Sequence, residues 1–158
     1  MLNSTKQRHA LVGEARSWLG TKFHHQGRIK KSLNSRGGCD CLGLVVKVSD
    51  YLGLKDKHGV FIKDLDETGY PRSPDGEYLL KKLSYHFKKI DKKHINLGDL
   101  LLFNFTRFPQ HLGFVAERKY GNQSQFTIIH AYSSSGSVCE HLLDNKWRRR
   151  IVSAYSLI

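Results

Sequence analysis

Apolar residues near the start of the chain recur at helical spacing. Leu11, Ala15, Trp18 and Leu19 gather on one face, and the pattern predicts a helix over residues 4–19. Ser4 or Thr5 can cap its start, and Gly20 suits the position just past its end. Residues 21–38 lose this period; they carry a basic segment, end on Gly37-Gly38 and predict a loop. Over residues 41–52 the apolar positions Leu42, Leu44, Val45, Val46 and Val48 lie on nearly every side. A helix of that kind belongs inside a core. Its β-branched residues leave a strand as the rival reading, and Gly53 closes the segment. Residues 54–72 show no regular pattern. Ser73-Pro74-Asp75 then predicts a third helix, with Ser73 as N-cap, Pro74 at the first helical position and Glu77 in the first turn, ending near Phe87.

The second half of the chain has a different pattern. Residues 99–105, 112–117, 126–132, 138–142 and 151–157 are short runs rich in β-branched and aromatic side chains, separated by turn-like segments. Tyr120-Gly121-Asn122 supports a hairpin between the second and third of them. Helices first and strands later indicate an α+β fold, with N-terminal helices packed on a mostly antiparallel sheet of five to six strands. There is no internal repeat and no low-complexity linker, so residues 1–158 read as one domain.

Composition narrows the function classes. The apolar fraction of 39% and charged fraction of 25% are ordinary for a globular protein. No apolar run approaches the ~20 residues of a membrane span, and the N-terminus lacks the apolar core of a signal peptide. The expectation is a chain made in a cytoplasm, with phage association or another export route as ways out. Lys and Arg number 26 against 14 Asp and Glu, a net charge of +12 that suggests an anionic partner. The positive charge is grouped at residues 28–31, 81–82, 88–89, 92–93 and 146–150, each read first as solvated surface. No helix-turn-helix, RNP-like, zinc-finger or Walker pattern converts that charge into specific nucleic-acid recognition.

Three cysteines fit a reducing compartment with one functional thiol better than a disulfide framework. Cys39 and Cys41 are too close for an ordinary bridge, and Cys139 is distant. Cys39-x-Cys41 with His24-His25 is a weak zinc set, so no metal is expected, and Cys39 and Cys139 are read as structural. Cys41 differs. In Gly38-Cys39-Asp40-Cys41-Leu42-Gly43 it falls at a helix start, where unpaired N–H groups and the positive end of the dipole favour the thiolate. A nucleophile of this kind needs a base. His111 begins one predicted strand and His130 ends the next. A turn centred near residue 121 would set the two rings on adjacent strands at the same level, where one can hold the other in a chosen tautomer. The other histidines have no such pairing, although His24 and His25 are candidates to lie near the site.

Several segments carry a resemblance. They are Ala15-Arg16-Ser17-Trp18-Leu19-Gly20-Thr21 with Phe23-His24-His25-Gln26-Gly27, Asp40-Cys41-Leu42-Gly43-Leu44-Val45, Leu97-Gly98-Asp99-Leu100, Gln110-His111-Leu112-Gly113, Ile129-His130-Ala131-Tyr132 and Trp147-Arg148-Arg149-Arg150-Ile151-Val152. In this order, through almost the whole chain, they resemble the NlpC/P60 family of papain-like cysteine peptidases, and within it the phage-type cell-wall peptidases. The resemblance implies a papain-like fold with Cys41 as nucleophile, His111 as general base and acid, and His130 as the orienting residue. It implies peptidoglycan or muropeptides as substrate, cut between γ-D-glutamate and a diamino acid, and phage tail components as a further partner. Asp40 matches a position that helps hold the substrate's free amine. Phe23 and Leu42 stand where the family often has Tyr and Ser, and losing the Tyr removes an oxyanion donor of a kind worth ~10²–10³ in rate. The implied chemistry is acyl transfer without metal or organic cofactor. The alternatives are an amidase, transglutaminase-like enzyme or acyltransferase on the same scaffold, and a non-catalytic basic phage-tail or wall-binding module.

Overall fold

A computed structural model describes residues 3–72 and 77–158. Helix α1 (Ser4–Ser17) is capped by Asn3, whose side chain accepts from the Lys6 N–H at 3.1 Å, so the cap falls one residue before the expected Ser4 or Thr5. Leu11, Val12 and Ala15 are buried, as the spacing predicted. The segment expected as loop contains a short antiparallel hairpin, β1 (Arg28–Ile29) with β2 (Gly38–Cys39). Helix α2 (Cys41–Tyr51) follows at once. The helical reading prevails over the strand because Asp40 caps the first turn, accepting from the Gly43 N–H at 2.8 Å, and the apolar side chains are buried. Those gains exceed the few tenths of a kcal/mol by which each Val disfavours a helix. Helix α3 (Tyr78–His86) is the expected third helix; the Ser73 cap and Pro74 lie outside the described residues.

Besides two short 3-10 turns, Ile62–Leu65 and Lys92–His94, the remaining elements are β3 (Lys88–Ile90), β4 (Leu100–Asn104), β5 (Pro109–Tyr120), β6 (Gln123–Tyr132), β7 (Ser137–Leu142), α4 (Asn145–Arg148) and β8 (Ile151–Ser156). They form a six-stranded sheet of order β3-β8-β4-β5-β6-β7 with every pair antiparallel. All five predicted strands are present. The sixth, β3, has two exposed lysines and no apolar alternation; it forms because β8 offers it an edge.

Both faces of the sheet are covered. Leu100 and Leu102 of β4 join the core under α1 and α2, while Leu101 and Phe103 point the other way and pack with Trp147 of α4, Val115 and Ile128. That is why β4 reads as a continuous apolar run instead of alternating. Helix α1 is tied to the sheet by two ion pairs. Arg8 meets Asp99 at 2.7 Å, and Asp99 also accepts from the Asn96 N–H at 2.6 Å. Arg16 meets Glu140 at 2.9 Å, with Arg118 and Thr127 completing that carboxylate's contacts. Burial pushes the Glu140 carboxyl up, but these donors outweigh it and hold it down at about 2. Gly43 and Gly113 are among the glycines dictated by space. A Cβ on Gly43 would lie 2.2 Å from the Gly27 carbonyl oxygen, and one on Gly113 would lie 2.5 Å from Ile128 Cδ1 and 3.2 Å from His130 Cβ.

Candidate active site

Cys41 is the first residue of α2 and lines a cleft of about 680 Å³ together with Phe23, Asp40, Leu42 and His111. Phe23 is brought there by a parallel bridge to Cys39 and by its N–H, which donates to the Gly136 carbonyl at 2.8 Å. Five of the six predicted site residues therefore border one cavity. The sixth, His130, is fully buried behind His111. Cys41 comes from the helix-covered face. His111 and His130 come from the opposite face, and His111 lines the same cleft at the end of the sheet where β5 begins.

The expected thiolate preference does not hold at rest. Burial pushes the Cys41 thiol up to about 12, and the Asp40 charge adds to it; the N–H groups of Leu112, Leu42 and Cys41 pull the other way and lose. Position at a helix N-terminus is not sufficient when the sulfur is enclosed beside a carboxylate.

The two histidines do meet, though not by the expected register. The β5–β6 hairpin turns on Gly121-Asn122, with Tyr120 opposite Gln123 and Phe114 opposite Ile129. Continued one step, this sets His130 opposite Gly113, so His111 and His130 are diagonal neighbours instead of facing each other. Gly113 has no side chain to separate them. His111 Nε2 lies 2.6 Å from His130 Nδ1.

The contact continues to a third ring. His130 Nε2 lies 2.8 Å from His141 Nε2, and His141 Nδ1 lies 3.0 Å from the Leu142 carbonyl. A carbonyl only accepts, so His141 Nδ1 carries a proton. With neutral rings the rest follows: His141 Nε2 accepts from His130 Nε2–H, and His130 Nδ1 accepts from His111 Nε2–H. His111 Nδ1 is left with a lone pair. Burial is the main reason that His111 is pushed down to about 3 and His130 to about 2, with the neighbouring rings adding to it. Trp147 closes the relay from outside, 5.0 Å from the His130 ring and 4.8 Å from the His141 ring.

On the other side of Cys41 the chemistry is ionic. Asp40 Oδ1 accepts from the Gly43 N–H at 2.8 Å and from Arg28 at 3.2 Å. Its Oδ2 accepts from the Gln26 N–H at 2.7 Å and from the Tyr70 hydroxyl. Gln26 is held at φ +60, which aims that N–H at the carboxylate. Four donors fill the carboxylate's four lone-pair directions. Arg28 also pairs with Asp66 at 3.0 Å, so this member of the 28–31 cluster is a half-buried structural charge and not a freely solvated one. Burial, reinforced by Asp40, holds the Tyr70 phenol protonated.

The sequence reading did not find Arg28, Tyr70 and His141. For His141 a signal existed: the β6–β7 register pairs His130 with Cys139, which sets residue 141 on the same face one diagonal away. Nothing local marks Arg28 or Tyr70.

No family model matches this chain, and no curated protein matches it by sequence. Solved structures do match its fold. One is a lipoprotein-like NLP/P60 family protein of Staphylococcus aureus, at 18% identity and TM-score 0.59 over 100% of this chain and 43% of that one. Another is the P60 domain of an antigen of Mycobacterium avium subspecies paratuberculosis, at 15% identity and TM-score 0.61 over 99% of this chain and 98% of that one. A third is the NlpC/p60 domain of the peptidoglycan hydrolase SagA, at 20% identity and TM-score 0.56 over 94% and 97%. The chain therefore has the NlpC/P60 fold, and it spans less than half of the S. aureus protein.

Proposed function

We propose that this protein is a cysteine hydrolase of peptidoglycan stem peptides, cutting the γ-D-glutamyl–diamino acid bond through an acyl-enzyme on Cys41. The observation that carries this reading is the tautomer relay. It leaves a lone pair on His111 Nδ1, in a ring that lines the same cleft as the Cys41 thiol. Cys41 and His111 start neutral, so His111 Nδ1 takes the thiol proton as Sγ attacks the scissile carbonyl. The imidazolium so formed donates through Nε2 to His130 Nδ1, which holds it in line. The Cys41 N–H faces the developing oxyanion. His111 then protonates the leaving amine, and in the second half it activates the water that releases the acyl group.

The cleft suits an acidic peptide. Arg72 and Arg150 stand on its wall, and Arg150 lies over the Phe105 ring at 5.0 Å, a guanidinium held for a substrate carboxylate. Asp40, with four internal donors, has no lone pair left for a free substrate amine. In this reading Asp40 shapes the site, and a free N-terminal L-Ala is not required.

Mass spectrometry of diaminopimelate-type muropeptides, incubated with wild type and with folded Cys41→Ala, tests this. A cut after γ-D-glutamate by wild type alone is expected, on stem peptides with and without a free N-terminus. A cut between the sugar lactyl group and L-Ala would instead assign an amidase. No cut by wild type at any bond of the stem peptide, with the protein folded, would overturn the enzymatic reading.

A further inference from the structure

We propose that His130, Cys139 and His141 form a site for a borderline divalent transition metal, with Zn²⁺ the fitting ion, and that filling it switches off the His111 base. The second half rests on the function proposed above; the first half does not.

The three residues lie on the sheet face away from α1 and α2. Cys139 is directly opposite His130, and His141 is one diagonal further along β7. Their ligand atoms all lie within 4.8 Å of one another. A tetrahedral zinc with nitrogen ligands at about 2.0–2.1 Å and sulfur at about 2.3 Å needs separations of about 3.3–3.7 Å. Shifts of about an ångström suffice, and they part the two Nε2 atoms, now 2.8 Å apart. Each ligand already has an orienting partner of the kind metal sites use. His141 Nδ1–H donates to the Leu142 carbonyl, His130 Nδ1 contacts His111, and Cys139 Sγ accepts from the Ser135 hydroxyl at 3.5 Å. β7 is an edge strand, and Cys139 and His141 are partly exposed, so an ion has a way in. Two imidazoles and a thiolate leave a fourth position for water.

Binding moves protons in a defined way. Cys139 loses its thiol proton to solvent as the metal–sulfur bond forms. The metal also takes the Nε2 lone pair of His130, so the ring proton must sit on Nδ1. His130 Nδ1–H then donates to His111 Nε2, whose proton moves to Nδ1. The lone pair that accepts the Cys41 proton is now on the wrong side of the His111 ring.

Co²⁺ titration of the whole protein, followed by thiolate-to-metal absorption, tests the site whether or not a substrate is found. Folded Cys41→Ala should give the band at one ion per chain, and Cys139→Ala and Cys139→Ser should both lack it. In the muropeptide assay Zn²⁺ should inhibit wild type, reversibly with EDTA. The Cys139 variants should cleave normally without metal and resist Zn²⁺ by at least ~10-fold. A band that follows Cys41 instead of Cys139 would place the ion in the cleft and overturn the site, as would no band at all. A band from Cys139 without inhibition would overturn the switch alone.

Discussion

On one side of Cys41, four donors converge on the Asp40 carboxylate; on the other, burial keeps His111 and His130 neutral. The difference follows from what each cluster has nearby. A buried carboxylate is tolerable only when saturated, and Arg28, Tyr70 and two backbone N–H groups saturate Asp40, which leaves it no lone pair for another partner. A buried imidazole can shed its proton instead. Walled by Trp147 and Phe105, the rings stay neutral and keep one directional lone pair. The charged cluster builds the loop around the thiol. The neutral one is able to move a proton.

Three experiments would break or sharpen this contrast. The largest effect is expected along the relay. His111→Ala should lower kcat/KM by about 10³–10⁴. His141→Ala should lower kcat by about 10-fold with little change in KM, because His141 acts through His130 as a positioning residue. His141→Gln, whose carbonyl can accept from His130 Nε2–H, should recover most of the loss in steady-state kinetics. An equal loss in His141→Gln and His141→Ala would reduce the third ring to packing.

The next effect concerns acid stability, measured by urea unfolding with a chelator present. The unfolded chain takes up protons near the ordinary histidine value of 6.5, while folded His111 and His130 take them up only near 3 and 2. Between these values the unfolded state holds more protons, so stability is fully present above pH 6.5 and is lost as pH falls. Each histidine should cost up to about 2 kcal/mol at pH 5, and His111→Gln should remove its share of that loss. An unchanged pH dependence in the variant would mean that His111 is not held neutral.

The third experiment concerns the charged cluster. Asp40→Asn keeps an N-cap for α2 but leaves Arg28 with Asp66 as its remaining carboxylate partner. It should lower stability by about 1–3 kcal/mol, read as a Tm drop of several degrees. Activity should follow folded protein. A large loss of kcat in well-folded Asp40→Asn would move Asp40 into the chemistry and end the contrast.

Much of this was legible along the chain, wherever the signal is local. The all-round apolar run of α2, the helix-period face of α1, the turn at Gly121-Asn122 and the five β-rich runs each draw on neighbours a few residues away. They determined an α+β chain with helices first, a cysteine at a helix start, and two histidines on one hairpin. What the tertiary structure decided came from partners far apart in sequence. Strand β3 has no apolar pattern and exists through β8. The expected register was two residues off, and the missing side chain of Gly113 is what lets the diagonal rings touch. Arg28 looked like one more solvated base until residues 40, 66 and 70 closed around it. The charge state of Cys41 was decided the same way. A helix dipole is a property of one segment and can be read from sequence, but desolvation is summed over everything that surrounds the sulfur, and only the folded chain fixes that sum.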